Sequence, residues 1–197
     1  KMPTDNIPGK LFYLSGTTLW GYFQTCFTST ANTFTSNAAI FGKVYFPRLI
    51  APISIIISSL LKFGVQMVMF LAFLVYYMYF DEGGTHNVHL TKWVLLFPLL
   101  VIMMGSMSLG IGIILSALTT KYRDLKNFVG FGVTLLMYAS PIIYPASAVP
   151  EAYSWFLKYN PIAPIIEAFR LGFTGAGTVT AMDLVYSGCF IGVVLFI

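Results

Sequence analysis

The chain has 197 residues, of which 57% are hydrophobic and only 9% are charged, and its mean hydropathy is +0.81. Because a soluble domain carries about a quarter of charged residues, this composition excludes one soluble globular domain and indicates an integral membrane protein. The net charge of +4, without a basic cluster, argues against a nucleic-acid partner. The two cysteines lie in separate apolar stretches, which is typical of small core residues and not of a disulfide framework.

The first predicted element, after a short polar loop, is a weakly apolar span from Leu11 to Phe34. It is rich in aromatic residues and in Thr and Ser. Its weak hydropathy predicts that it faces other helices more than lipid. The alternative is an interfacial or extramembrane helix, in which aromatic and polar residues are also mixed.

Three stronger spans are predicted next, at Pro52–Phe80, Trp93–Leu118 and Phe128–Tyr144. The first is long enough for its helix to tilt or to project from the membrane. A last apolar run, Leu184–Ile197, is shorter than the roughly 20 residues that a transmembrane helix needs. We therefore expect the sequence to stop inside a span.

Polar and small residues within these spans suggest two further features. Lys62 and Gln66 are four residues apart and share a helix face. Lys62 either snorkels towards the membrane surface or contacts the bundle or a transport path. A small residue recurs at every fourth position in the next span, which predicts close helix packing and no chemistry, at Ser108, Gly112 and Ser116.

Two short connectors carry a dense set of basic residues, namely Asn37–Arg48 and Thr119–Asn127. The positive-inside rule predicts that both are cytoplasmic, which places the loops near Asp81 and Glu151 on the outside. Basic residues are equally numerous on the two predicted sides, so the prediction depends on their density in the short connectors.

The segment after the last connector is an apolar run interrupted by prolines at positions 141, 145 and 150. Such breaks leave backbone groups without partners, which the membrane tolerates only where protein or a water-filled cavity covers them. A short amphipathic helix is predicted from Pro150 to Asn160, with Pro150 at its first position. We interpret the region as a pair of re-entrant helices, and the alternative is an ordinary structured outer loop.

The second helix of this pair is predicted to begin at Pro161, with Asn160 as its cap. Glu167 and Arg170 are three residues apart, a spacing at which they can form an ion pair on the helix surface.

Motifs for catalysis are absent from the sequence. There is no P-loop, so nucleotide hydrolysis requires another chain. The one cluster of candidate metal ligands is in the loop with Asp81, Glu82, His86 and His89, where surface solvation explains it better than a metal site. We expect no catalytic residue and no metal. The alternative, a membrane enzyme that acts on lipid-linked sugars, would depend on this cluster.

Two stretches carry a family resemblance: GKVYFPRLIAP at Gly42–Pro52, and the series YRD, SPIIYP, VP, NP and EAFR between Tyr122 and Arg170. In order and spacing they resemble the membrane subunits of ABC exporters for polysaccharides, which move lipid-linked O-antigen, capsular polysaccharide or teichoic acid. The resemblance implies an all-α polytopic helical bundle in the bacterial inner membrane, with re-entrant gate helices before the last span. It also implies a homodimer, and a separate ATP-binding subunit that carries ATP and Mg.

The resemblance further implies how the chain is organised. Residues 1–197 would be a single transmembrane domain that lacks the family's N-terminal interface helix, its first span and the end of its sixth span. A drug or small-lipid exporter of the same superfamily would share this fold, so the fold alone does not choose between the two substrates.

Contact with the ATP-binding subunit is expected at the first connector. Its aromatic residues would occupy a groove and its basic residues would fix the register; an aromatic, basic anchor at the membrane edge is the alternative. The coupling residues are Phe41, Gly42, Lys43, Tyr45, Phe46, Pro47 and Arg48. The turn Tyr122, Arg123 and Asp124 is a weaker candidate, since a local Arg–Asp pair explains it nearly as well.

The gate and the substrate path are expected in the proline-broken region. Aromatic faces would contact sugar rings, at Tyr138 and Tyr144 or in the Trp20–Phe27 cluster, although packing and an interfacial belt also explain aromatic residues here. The expected gate and path residues are Tyr138, Ser140, Pro141, Tyr144, Pro145, Pro150, Asn160, Pro161, Glu167 and Arg170.

Overall fold

The computed structural model describes residues 7–36, 49–79, 88–122 and 124–197, apart from the side chains of residues 126 and 151–154. The described residues form helices and turns and no strand. The α-helices are α1 (Gly9–Ala31), α2 (Thr33–Ser36), α3 (Ile50–Tyr79), α4 (Phe97–Lys121), α5 (Leu125–Tyr138), α6 (Glu151–Tyr159), α7 (Ala163–Thr174) and α8 (Ala181–Phe196). Two 3-10 turns, Lys92–Leu96 and Ala146–Ala148, precede α4 and α6.

Helix α1 is the centre of the bundle, because α3, α4, α5 and α7 all pack against it. Its 23 residues correspond to about 35 Å, longer than the hydrocarbon core. Its aromatic side chains are directed into these contacts, and Trp20 is only 2% exposed. The prediction that this segment faces other helices is confirmed.

Two stretches of the described chain are long and apolar enough to cross a membrane, Ile50–Tyr79 and Lys92–Lys121. They match the first two of the strong predicted spans. The first exposes most of its surface, and the second packs on α1 through its small residues.

The small residues of α4 allow this close approach, as predicted. A Cβ added to Gly112 would lie 2.8 Å from Thr30 Cβ, so only glycine fits there without a shift. Ser116 Oγ accepts a hydrogen bond from the backbone N–H of Phe34 at 3.2 Å. Ser108 is fully buried at the same interface.

The prediction of one continuous span from Phe128 to Tyr144 is wrong at its end. Helix α5 stops at Tyr138, and turns occupy the chain from Ala139 to Tyr144. Pro141 has no N–H to donate to a helical carbonyl, and its ring disfavours the helical conformation at the preceding residue. At 14 residues, α5 is about 21 Å long, less than the roughly 30 Å of a hydrocarbon core.

The two short helices that follow begin one or two residues later than predicted. Pro150 immediately precedes α6 and is not its first residue. Helix α7 starts at Ala163, so that Pro164 is in its first turn, where its missing N–H is harmless. Gly175 closes α7 with a φ of 78°, the left-handed conformation that favours glycine at this position.

Candidate functional site

The structure brings the two predicted charged residues of α7 into the interior of the protein. Arg170 is 1% exposed, and its Nη1 donates to Glu167 Oε1 at 3.0 Å. The pairing is as predicted, but the predicted location on a helix surface is wrong. Helix α7 is enclosed by α1, α4 and the Lys92–Leu96 turn, so nearly all of its side chains are buried.

Arg170 also binds the backbone where α5 ends. Its Nη2 donates to the carbonyl oxygens of Pro141 at 3.0 Å and of Ile142 at 3.3 Å. These carbonyls lie beyond the last helical hydrogen bonds of α5, and a buried carbonyl without a partner is costly. The guanidinium therefore supplies the donors that the broken helix lacks.

The opposite side of the guanidinium contacts α1. Arg170 Nε donates to Ser15 Oγ at 3.4 Å, and the guanidinium carbon lies 3.8 Å from the centroid of the Phe12 ring. A planar cation stacked on an aromatic face is stabilised by the ring quadrupole. Gly16 permits this approach, because an added Cβ would lie 2.7 Å from the Ile142 carbonyl oxygen.

Glu167 extends the network to the segment before α8. Its Oε2 accepts the backbone N–H of Thr178 at 3.2 Å, while its Oε1 binds Arg170. We call this set of residues the Arg170 network: Phe12, Ser15, Pro141, Ile142, Glu167, Arg170 and Thr178. It joins α1, the end of α5, α7 and the approach to α8.

Asn160 forms a second junction in the same region. Its Nδ2 donates to Ser140 Oγ at 2.9 Å and to the Ala139 carbonyl at 3.2 Å, and its Oδ1 accepts the N–H of Ile162 at 3.0 Å. Asn160 thus stabilises the turn that leads into α7, and it does not cap the helix directly. Asn160 was predicted to cap a helix that begins at Pro161, but the helix begins at Ala163 and Asn160 bonds the residue before it.

Helix α8 fixes the turn between α6 and α7. Ser187 Oγ donates to the Pro161 carbonyl at 2.8 Å, and Tyr186 Oη donates to the Tyr159 carbonyl at 3.1 Å. Pro145, another predicted gate residue, begins the Ala146–Ala148 turn.

A cavity of about 190 Å³ lies between these elements. Lys158, Glu167 and Asp183 contribute charged side chains to its wall, beside Pro141 and Pro164. Both carboxylates already accept hydrogen bonds, Glu167 from Arg170 and Thr178 and Asp183 from Thr180. The cavity therefore has charged groups in a mostly apolar wall, and its acids are engaged in holding the fold.

The predicted aromatic contacts for sugar rings divide into two groups. Tyr138 is 61% exposed, and Tyr144 is partly buried with its hydroxyl donating to the Tyr138 carbonyl at 3.1 Å. The Trp20–Phe27 cluster is buried in the packing of α1, so the expectation that it contacts sugars is wrong. Helix α6 exposes Trp155, Phe156 and Tyr159.

Several predicted residues fall outside the described part of the chain. They are Phe41, Gly42, Lys43, Tyr45, Phe46, Pro47 and Arg48 of the first connector, Arg123, and Asp81, Glu82 and His86. Tyr122 and Asp124 are exposed, and Lys121 Nζ lies 5.4 Å from the Tyr122 ring centroid. Within the described ranges, no group of three or more His, Cys, Asp and Glu residues could hold a metal ion.

A contact between the segment before α4 and α7 was not predicted from the sequence. Thr91 donates from its backbone N–H to the Gly172 carbonyl at 2.9 Å and from its hydroxyl to the Leu171 carbonyl at 2.7 Å. Gly172 provides the space, because an added Cβ would lie 3.1 Å from the Val94 nitrogen. Gly172, which permits the close approach of the two backbones, was the feature of the sequence that could have indicated this contact.

Comparisons with known proteins agree with this architecture. An O-antigen export system permease protein RfbA from Klebsiella pneumoniae is 33% identical to the chain over 160 residues, which is 81% of this chain and 59% of that protein. A protein of the same name from Myxococcus xanthus is 27% identical over 169 residues, covering 84% of this chain and 62% of its own length. The chain thus spans about three fifths of the length of these relatives.

The family comparison covers helices α1 to α7 and nearly all of the Arg170 network. The model of the ABC-2 type transporter family matches residues 4–174, a range that ends at the last residue of α7 and leaves α8 outside. This match includes more than half of the chain, and the all-helical fold is consistent with it. The chain belongs to the ABC-2 type transporter family.

Proposed function

We propose that the chain is the membrane-spanning part of a permease that exports lipid-linked polysaccharide across the bacterial inner membrane. The observation that carries the proposal is the 33% identity to an O-antigen export system permease over 81% of this chain. A polar glycan cannot cross hydrocarbon unaided, because each unpaired hydroxyl costs several kcal/mol. The protein therefore has to supply a polar path.

Helices α6 and α7 are proposed as a re-entrant pair at the outer end of this path. At membrane depth a broken helix needs partners for its freed carbonyls. Arg170 donates to two such carbonyls, at Pro141 and Ile142, from the interior of the protein. This is the arrangement expected if the break lies within the membrane and not in a water-exposed loop.

The energy source in this proposal is a separate ATP-binding subunit that carries ATP and Mg, with two permease chains enclosing the path. The connector from Phe41 to Arg48 would contact that subunit, and the turn Tyr122–Asp124 would be a secondary contact. Closure of the ATP-binding subunits would move the connectors and bias the gate between two states.

Complementation tests the proposed function. The intact permease and its ATP-binding subunit are expressed in bacteria that lack their own O-antigen permease, and surface polysaccharide is measured. We expect surface polysaccharide to return only with a hydrolysis-competent partner. Resistance to drugs without any surface polysaccharide would instead favour export of a drug or small lipid.

The connector is tested by reversing the charge of Arg48. In Arg48→Glu we expect the ATP-binding subunit no longer to co-purify, or its hydrolysis no longer to be stimulated. Lys10→Glu is the matched control, because it makes the same charge change at the predicted outer side. Normal co-purification and stimulation with Arg48→Glu would show that the coupling residues lie elsewhere.

A further inference from the structure

The uncovered side of α1 differs in character from the uncovered surfaces of the other long helices. Large hydrophobic side chains are exposed on α3, α4, α5, α6 and α8, but none of the exposed ones among the described residues belongs to α1. On α1 the uncovered side carries hydroxyls and an amide, with Thr17 and Gln24 exposed and Thr28 partly exposed.

This side of α1 is continuous along the helix. Thr17, Gln24 and Thr28 recur at intervals of seven and four residues, which places them on one face. From Thr17 to Thr28 the face extends over about 16 Å, more than half of a hydrocarbon core.

Helix α3 adds two polar groups beside this face. The side-chain amide of Gln66 lies over Gly21, where an added Cβ would be 3.1 Å from Gln66 Oε1. Lys62 is four residues before Gln66, so the two side chains lie on the same face of α3. Phe63, next to Lys62 in the chain, is buried. Lys62 and Gln66 are both exposed, and neither has a hydrogen-bonding partner within the ranges that the structure describes.

Lys62 lies close to the middle of helix α3. It is about 18 Å along the helix from the nearer end of this 30-residue element. A cation at this depth is costly unless it faces a water-filled cavity or a polar partner. A Thr hydroxyl can bond its own helix, as Thr17 does with the Tyr13 carbonyl, but Gln24, Lys62 and Gln66 have no such local partner in the described chain.

We propose that Thr17, Gln24, Thr28, Lys62 and Gln66 form a water-lined track that binds the hydroxyl-rich glycan during export. The proposal rests on the proposed function for its substrate and on the exposure pattern for its location. Hydroxyl and amide groups exchange hydrogen bonds with sugars without requiring one sequence, and the ammonium of Lys62 attracts the phosphate that links a glycan to its lipid.

The track leads to the Arg170 network. Thr17 follows Gly16, which packs against Ile142 and Arg170 at the proposed gate. At its other end α1 continues through α2 to Ser36, immediately before the connector that begins at residue 37. The polar face therefore joins the proposed exit to the proposed site of ATPase coupling.

Thiol accessibility tests whether the track is wet. Single cysteines are placed in the intact permease with its ATP-binding subunit, in a Cys189→Ser background that retains the buried Cys26, and treated with a charged, water-soluble thiosulfonate. Because only the thiolate reacts and hydrocarbon suppresses ionisation, we expect Gln24→Cys and Thr28→Cys to react at least about tenfold faster than Val65→Cys on the apolar side of α3. Equal, slow rates would overturn the track and indicate that lipid or another protein helix covers this face.

Binding of the glycan is tested separately. In cells that synthesise the lipid-linked glycan, we expect slower labelling of Gln24→Cys than in cells that do not, and Lys62→Met should lower surface polysaccharide severalfold while leaving the amount of permease unchanged. Leu61→Met, on the adjacent exposed position of α3, is the matched control. Labelling that is rapid but independent of glycan, with normal export by Lys62→Met, would overturn the assignment of the glycan as the ligand. Failure of the unaltered permease to restore surface polysaccharide would refute the proposed function independently of these results.

Discussion

The Arg170 network and the polar face of α1 belong to the same helical bundle but differ in the environment of their polar groups. In the network the charged groups are buried, and Arg170 has partners on three elements. On the face of α1 and α3 the polar groups are exposed, and Gln24, Lys62 and Gln66 lack partners within the described residues.

The difference separates two uses of polarity in an apolar protein. A buried, fully bonded group fixes geometry, and removing one partner leaves the others without hydrogen bonds. An exposed, unpaired group is tolerated at membrane depth only beside water or a polar ligand. Substitutions in the network should therefore reduce stability first, and those on the polar face should reduce transport first.

The largest effect is expected for Arg170→Met. The substitution leaves Glu167 buried without its cation and two carbonyls without donors, and breaking a buried ion pair costs about 3–5 kcal/mol. Thermal stability in detergent and the amount of permease in the membrane should both fall sharply. The exposed Lys158→Met removes the same kind of charge nearby and should change neither.

A double substitution sharpens this result. In Arg170→Met with Glu167→Gln the uncompensated charge is gone, so part of the lost stability should return. If the double variant is as unstable as the sum of the two single variants, the Arg170–Glu167 contact contributes little and the network is held by its other bonds.

Gly16→Ala is expected to have the next largest effect. Its Cβ would lie 2.7 Å from the Ile142 carbonyl oxygen, so α1 and the end of α5 have to separate, at a cost of about 1–3 kcal/mol. The melting temperature should fall. Gly64→Ala is the control, because nothing lies within 4 Å of its added Cβ and alanine favours a helix. A fall of equal size in both variants would contradict the close approach at Gly16.

Asn160→Leu should destabilise the protein by a comparable amount, about 1–3 kcal/mol for the groups that lose their partners. It removes the bonds to Ser140 and to the N–H of Ile162, which hold the turn before α7. Thermal stability in detergent measures the effect, and Asn127→Leu on the exposed start of α5 is the control. Equal stability of the two variants would exclude Asn160 as a junction.

The sequence predicts those parts of this fold that depend on local pattern. Helices α3 and α4 follow from long apolar runs, and the packing stripe at Gly112 follows from its four-residue spacing. The end of α5 was predicted six residues too late, because Ile142 and Ile143 continue the apolar run beyond Pro141.

The burial of Arg170 was not predictable in the same way. A Glu and an Arg three residues apart are typical of a solvated helix surface. What buries the pair is contact with residues 28, 29 and 155 positions away in the chain, at Ile142, Pro141 and Ser15. Such contacts depend on which helices enclose α7, and the spacing of residues within α7 does not predict them.

The smallest effect on stability is expected for Tyr144→Phe. This substitution tests whether the Tyr144 hydroxyl stabilises the fold or contributes to transport. The hydroxyl makes one exposed hydrogen bond, to the Tyr138 carbonyl at 3.1 Å, so its loss should cost about 1 kcal/mol or less. If Tyr144 belongs to the substrate path, export of surface polysaccharide should nevertheless fall while the melting temperature stays nearly constant. Tyr79→Phe at the exposed end of α3 is the matched control. Normal export by Tyr144→Phe would place its hydroxyl with the structural groups of the proline-broken region and restrict the path to residues nearer α1.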